Sequence, residues 1–412
     1  MRRKLQIIIA TVAILSLLLT GTALAQEPDS DFEVVRAKVE EWLATQPKAV
    51  ITADAVFENL SDGDESNDPF ILSVRSPEHY ELGHVPGAVN IPWKKIAAEE
   101  SLEMLPTDQP IVDYCYTGHT GQAAMTSLAL LDYDVTNMKF GMMGWTQNED
   151  VLAQPGFDPE AVPDYKVETE INEATETYDY PELDTGAASE DDIVRSALDN
   201  YLSSDKAPVT SAAALFENLS DGDESNDPVI LSVRSPEHYE IGHIPGAINI
   251  PWMNIGDPDE LAKLPPDKPI VVYCYTGHTG QVATTALNAM GYDATNLKFG
   301  MMGWSADPDV VATTVFDPAT SPDYRIECTL ADGAPMTDSM MASVLPVASE
   351  MDAGNFTWSM MAYDLGVVSQ VTAAAADENG TIVRITITSP TADTTALEEA
   401  LASMLEAYGG VE

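Results

Sequence analysis

A block of 36 residues occurs twice in this chain. Positions 57–92 and 216–251 differ at only four places, Phe70/Val229, Leu82/Ile241, Val85/Ile244 and Val89/Ile248. Each difference exchanges one apolar residue for another, as packing positions permit. The same offset of 159 carries Trp145 onto Trp304, Phe157-Asp158-Pro159 onto Phe316-Asp317-Pro318, and Asp164-Tyr165 onto Asp323-Tyr324, with no insertion between them. A fold for this chain must therefore be one unit built twice. Short apolar runs alternate with helical stretches inside each unit, which predicts a parallel sheet covered on both faces. Expected strands lie over 70–74, 88–91, 111–114 and 137–140, and their equivalents in the second copy. Each unit opens with an amphipathic helix, carried by Val34/Val35, Val39 and Trp42/Leu43, and by Ile193/Val194, Ala197/Leu198 and Tyr201/Leu202.

The expected domains are a signal over 1–25, the first α/β unit over 31–165, an acidic linker over 166–189, the second unit over 190–328, and a small α+β region over 329–412. Charge repulsion should keep the linker extended. The last region offers one strand over 381–388 and one helix over 395–408, and its Met pairs read as core filler. The amino terminus combines Arg2-Arg3-Lys4, an apolar stretch over 5–19 and Ala23-Leu24-Ala25, the pattern of an export signal. The apolar stretch falls short of the roughly 20 residues that span a bilayer. An exported protein is expected, with an amino-terminal anchor as the alternative if the signal is retained. No membrane partner is expected after cleavage.

A formal charge of −48 repels nucleic acid, which is therefore not an expected partner. Three cysteines are too few for a disulfide framework. Cys115 and Cys274 occupy equivalent places in separate copies, which argues against their pairing; Cys328 has no counterpart and reads as unpaired.

Both equivalent cysteines open the heptapeptide Cys-Tyr-Thr-Gly-His-Thr-Gly, between a β-prone run and a helical stretch. A thiol at a strand end, in a Gly-containing turn leading into a helix, faces unpaired N–H groups and the positive end of a helix dipole. That setting favours a thiolate. Amides of Tyr116, Thr117, Gly118, His119, Thr120 and Gly121, and of Tyr275, Thr276, Gly277, His278, Thr279 and Gly280, are expected to curve round the sulfur. Thr120 and Thr279 are candidate caps of the following helix. His119 and His278 either titrate near neutral pH as switchable donors or point to solvent at the loop rim.

Ser-Val-Arg-Ser-Pro-Glu-His-Tyr-Glu-(Leu/Ile)-Gly-His-(Val/Ile)-Pro-Gly-Ala-(Val/Ile)-Asn-Ile-Pro resembles the signature of rhodanese-like sulfurtransferase domains. The Cys loop and the later Gly-Met-Met-Gly-Trp segment fit the same family, over essentially 31–165 and 190–325. The resemblance implies an α/β domain in which Cys115 or Cys274 accepts sulfur as a persulfide and passes it to a thiol or other nucleophile, without a cofactor. Loops of that family often carry an Arg that holds an anionic donor such as thiosulfate; here none follows the cysteine. Arg75, Arg234, Lys139 and Lys298 are the candidate substrate contacts, with structural anchoring the expected role of the arginines. The partners implied are a small sulfur donor (thiosulfate, polysulfide or a persulfide) and a thiol acceptor.

Gly121 and Gly280 stand where a phosphatase loop needs its Arg, so phosphoryl chemistry is not expected. No His pair has metal-ligand spacing with Cys, and no metal site is expected. The acidic run Asp62-Gly-Asp-Glu-Ser-Asn-Asp68 lacks the EF-hand Gly and final Glu, and reads as a solvated turn. The sulfurtransferase reading stands beside a persulfide carrier or redox-sensing module without turnover, and beside an idle scaffold whose tail mediates assembly.

Overall fold

The uninterrupted apolar runs of each repeat become the central strands of a sheet buried on both faces. A computed structural model of the protein describes residues 30–331, 359–364, 369–376 and 382–389. The first repeat holds β1 (Val50–Ile51), β2 (Phe70–Ser73), β3 (Val89–Asn90), β4 (Ile111–Tyr114) and β5 (Val135–Met138), all parallel, in the order β1-β5-β4-β2-β3. The second repeats it with β6 (Val209–Thr210), β7 (Val229–Ser232), β8 (Ile248–Asn249), β9 (Ile270–Tyr273) and β10 (Ala294–Leu297), ordered β6-β10-β9-β7-β8. The edge strands β1 and β6, two residues each, were not legible as strands. β5 and β10 begin two residues earlier than the apolar pattern placed them.

In each sheet the two strands nearest the middle send their onward connections to opposite sides, β2 toward β3 and β4 toward β5. The crevice beyond their carboxyl ends is where an open α/β sheet presents a ligand site. Cys115 follows β4 and Cys274 follows β9.

The amphipathic helices form as expected, at Asp31–Ala44 with Val35, Val39 and Leu43 buried, and at Glu190–Ser203 with Ile193, Val194, Ala197, Leu198 and Leu202 buried. Their apolar faces meet between the repeats. One core cluster runs without a break from Phe32 and Val39 through Leu128 to Leu198, Leu231 and Leu287. The two units are thus halves of a common core.

The acidic segment between the repeats is docked. Tyr178 N–H donates to Ala262 O (2.8 Å), the Tyr180 ring stacks on Phe32 at 4.6 Å, and Thr185 N–H and Oγ1 both reach Asp31 Oδ2 at 2.6 Å. Apolar contacts and specific acceptors outweigh the repulsion that was expected to hold it away. Its first residues serve the other repeat. Tyr165 stacks on Phe216 at 4.0 Å and donates its N–H to Trp304 O (2.9 Å), while Asp164 Oδ1 accepts from Ala306 N–H (2.9 Å). Glu168 and His243 exchange both backbone hydrogen bonds at 2.9 Å.

The end of the second repeat returns the arrangement. Tyr324 stacks on Phe57 at 4.0 Å and donates to Trp145 O (3.0 Å); Asp323 Oδ1 accepts from Thr146 Oγ1 (2.7 Å); Glu327 and His84 exchange backbone bonds at 2.8 Å. Each repeat is completed by the tail of the other.

Beyond the repeats, β11 (Glu327–Ala331), β12 (Ser359–Asp364), β13 (Ser369–Ala376) and β14 (Ile382–Ser389) form a sheet in the order β11-β14-β13-β12, parallel between β11 and β14 and otherwise antiparallel. The strand expected over 381–388 is β14; β12 and β13 were not anticipated. The signal segment, the 395–408 helix and the side chain of Cys328 lie outside the described residues. Among those residues no helix is long and apolar enough to cross a membrane.

Removing one exchanged ring tests the tail contact. Tyr165→Ala is expected to destabilise the protein by about 2 kcal/mol in urea unfolding, through lost burial and stacking.

Candidate active site

The helix after each cysteine starts earlier than its apolar periodicity suggested. It spans His119–Leu130 in one copy and His278–Ala289 in the other. Gly118 and Gly277 are the N-caps, in the left-handed region at φ 90° and 89°. Thr120 and Thr279 therefore lie inside the first turn and do not cap it. The first-turn amides of His119, Thr120 and Gly121 have no partner within the helix and lie at its positive end. Gly118 N–H donates to Cys115 Sγ at 3.2 Å, and Gly277 N–H to Cys274 Sγ at the same distance. Both cysteines are buried, each at 1% exposure. Both cysteines are free.

The Gly-Met-Met-Gly segment clamps each loop from behind. Met142 N–H donates to Cys115 O and Met143 N–H to Tyr116 O, each at 2.9 Å; Met301 and Met302 do the same for Cys274 and Tyr275. A Cβ at Gly300 would stand 2.6 Å from Cys274 O, so the clamp needs glycine there. On the other side of the loop, the Tyr116 hydroxyl accepts Ser76 N–H (3.1 Å) and pairs with His79 Nδ1 (2.7 Å); Tyr275, Ser235 and His238 repeat this. These tyrosine–histidine braces were not singled out from the sequence, although every member recurs at the 159-residue offset.

The loop histidines are neither switchable donors nor solvent-facing. His119 Nε2 accepts Phe299 N–H (3.0 Å) from the other repeat, and His278 Nε2 accepts Phe140 N–H (3.1 Å). Phe140 and Phe299 adopt left-handed backbone, φ 65° and 64°, which turns each N–H toward the opposite loop. Each Nδ1 meets its own loop's threonine, Thr117 Oγ1 at 3.0 Å and Thr276 Oγ1 at 2.9 Å. An Nε2 that accepts leaves the proton on Nδ1, so both rings are neutral. The rings stack with centroids 6.0 Å apart, and each abuts the Gly118 or Gly277 Cα of the facing loop. Burial drives the pKa of His119 well below its ordinary value, helped by His278 and Lys298; burial and then Lys139 take His278 down to about 3.

The arginines are engaged by backbone carbonyls, the anchoring role expected of them. Arg75 is fully buried and donates to the carbonyls of Gly83 (2.7 Å), Val151 (2.8 Å) and His79; Arg234 donates to Val310 O (2.9 Å) and Gly242 O. They tie the turn after β2 or β7 to the helix that covers it. His84 and His243 bond backbone carbonyls through Nδ1, Tyr80 O at 2.9 Å and Tyr239 O at 2.8 Å. The acidic turn satisfies itself, with Asp62 Oδ1 accepting Asp64 N–H (2.7 Å) and Asp64 Oδ1 accepting Ser66 N–H (3.1 Å).

One of the buried differences between the copies lies in the strand that leads to the cysteine. Asp113 in β4, where β9 has Val272, is hydrogen-bonded by Asn137 Nδ2 (2.8 Å), and burial raises its pKa well above the ordinary carboxyl value. With no carboxyl to bond, Asn296 Nδ2 turns to Gly277 O (2.9 Å) and braces the Cys274 loop directly.

Two pH dependences follow. A histidine whose folded pKa is depressed contributes stability that is present above about 6.5 and lost as pH falls toward about 3. Melting temperature should therefore drop from pH 6.5 to pH 4, and the double variant His119→Gln/His278→Gln should lessen that drop, while His84, itself depressed to about 3, keeps its share. Asp113 runs the other way. Its raised folded pKa costs stability as pH rises above the unfolded value near 4, so Asp113→Asn should gain on the parent between pH 4 and pH 7 in denaturant titrations, at up to about 1.4 kcal/mol per pH unit.

The rhodanese-like domain family matches residues 52–148 and 213–307. The chain is 32% identical over 84 residues to the thiosulfate sulfurtransferase GlpE of Pseudoalteromonas translucida, covering 20% of this chain and 78% of that one. It is 39% identical over 93 residues to the adenylyltransferase and sulfurtransferase UBA4 of Meyerozyma guilliermondii, covering 21% of this chain and 22% of that protein. Against such longer relatives the chain thus spans about a fifth of their length. A solved thiosulfate sulfurtransferase from Pseudomonas aeruginosa is 18% identical, over 65% of this chain and 46% of that one, with a TM-score of 0.25, too weak a likeness to argue from. The paired sheets, the cysteine at the carboxyl end of a middle strand and the sequence matches agree: the chain belongs to the rhodanese-like domain family and carries two such domains in tandem.

Proposed function

We propose that this protein is a sulfurtransferase that carries sulfane sulfur as a persulfide on Cys115 and Cys274. The observation that supports this most directly is the Gly118 or Gly277 amide donating to Sγ at 3.2 Å, at a helix amino terminus, in both copies. An N–H aimed at sulfur stabilises the thiolate and then the terminal sulfur of the persulfide. The Cys thiolate attacks the outer sulfur of thiosulfate, a new S–S bond forms, the old one breaks, and sulfite leaves with its electron pair. An acceptor thiolate then attacks the outer persulfide sulfur, takes it, and returns the Cys thiolate. Polysulfide or a protein persulfide fits the same steps, with a shorter polysulfide or a thiolate as leaving group.

The burial of both cysteines, at 1% exposure, favours a second reading, a shelter that holds persulfide and releases it slowly. The basic, apolar and small-residue order of the first 25 positions supports export as the setting in which either would act.

Intact-mass measurement after incubation with thiosulfate, then after cyanide or dithiothreitol, separates the readings. The expected result is one added sulfur per active cysteine, absent in Cys115→Ser/Cys274→Ser, with catalytic release to the acceptor. Gain without turnover favours the shelter; no gain from thiosulfate or polysulfide overturns both.

A further inference from the structure

The family's arginine is missing from both loops, yet each loop has a cation beside it that comes from the other repeat. Lys139 immediately precedes Phe140, whose N–H bonds His278 and whose ring lies 5.1 Å from that imidazole. The Lys139 ammonium sits over the same ring, 5.0 Å from its centroid. It is thereby held against the loop that begins at Cys274. The second copy mirrors this: Phe299 N–H bonds His119, the rings lie 5.2 Å apart, and Lys298 Nζ is 5.1 Å from the Phe299 centroid.

The chain has 67 acidic side chains against 19 Lys and Arg. Among the described residues neither Lys139 nor Lys298 forms a salt bridge; Lys298 Nζ meets Pro155 O at 3.5 Å. Both are partly buried. A partly buried ammonium without a salt bridge gains by pairing with an anion that reaches it. Burial lowers the pKa of each, and the sulfur of the opposite repeat acts against that, Cys274 on Lys139 and Cys115 on Lys298.

We propose that each sulfur loop takes its counter-charge from the other repeat, with Lys139 facing the anionic sulfur on Cys274 and Lys298 facing that on Cys115. The proposal rests on the persulfide reading and narrows its substrate class to anionic donors, thiosulfate or polysulfide. A cleft of about 240 Å³ reaches Lys139, its lining setting that lysine, Thr52, Phe140 and Phe316 beside the carboxylates of Asp54 and Asp317. The pairing also makes neither domain a complete site alone.

Thiolate absorbance titration tests this without requiring sulfur transfer. In a Cys328→Ser background, Cys115→Ser leaves Cys274 as the single thiol and Cys274→Ser leaves Cys115. Lys139→Met should raise the midpoint for Cys274 by about one pH unit, and Lys298→Met should do so for Cys115. Lys→Arg at either place should restore it; Lys→Gln serves where a Met variant melts early. A shift from the lysine of the same repeat, or none from either, overturns the crossed assignment. Sulfur loading measured on the parent protein stands or falls separately, so failure of the persulfide reading and failure of the crossed charge are distinguishable.

Discussion

Two hydrogen bonds between an imidazole and a backbone amide, related by the internal symmetry, set the geometry of everything near the sulfurs. His119 accepts from Phe299 and His278 accepts from Phe140, so each loop is held in place by the opposite domain. The bond demands a neutral ring, a threonine to receive the Nδ1 proton, a left-handed Phe to aim the amide, and a glycine where the facing ring arrives. All four are present in both copies. Because the groups are buried, losing one partner would strand the other away from water, which makes the arrangement nearly all-or-none.

The symmetry is broken where it touches chemistry. Asp113 engages Asn137, whereas Val272 leaves Asn296 free to hold Gly277 O. Gly277 supplies both the amide that meets Cys274 Sγ and the carbonyl that Asn296 grips, so the second loop is braced at the residue that matters most. The first loop has instead a buried carboxyl in its supporting strand, its pKa raised by that burial. Two cysteines in identical heptapeptides thus sit on unequal foundations, and Asp113 against Val272, outside the heptapeptide, is one source of the difference.

What lies within a repeat was legible in the sequence. Alternation of apolar runs and helical stretches gave the parallel sheets, and Cys-Tyr-Thr-Gly-His-Thr-Gly after a β-prone run put the thiol at a strand end. Arg75 as an anchor followed from its place after a strand. Contacts between repeats were not legible, because periodicity reports only neighbours a few residues apart, whereas His119 and Phe299 are 180 apart. His119 read as either a switchable donor or a rim residue for that reason. One signal was available: Asp164-Tyr165 recurs as Asp323-Tyr324 at the end of each unit. The edge strands β1 and β6 are too short to show a pattern.

The reciprocal tails carry a consequence for the molecule's architecture. Contacts in which each half offers the other the same surface are isologous, the hallmark of a two-fold dimer. Here the two subunits are written on one polypeptide, so their meeting is intramolecular and occurs at an effective concentration in the millimolar range for a short tether. Such a pairing does not dissociate on dilution. Once joined, the halves were released from having to be identical, and a substitution such as Asp113 against Val272 can specialise one sulfur without altering its twin.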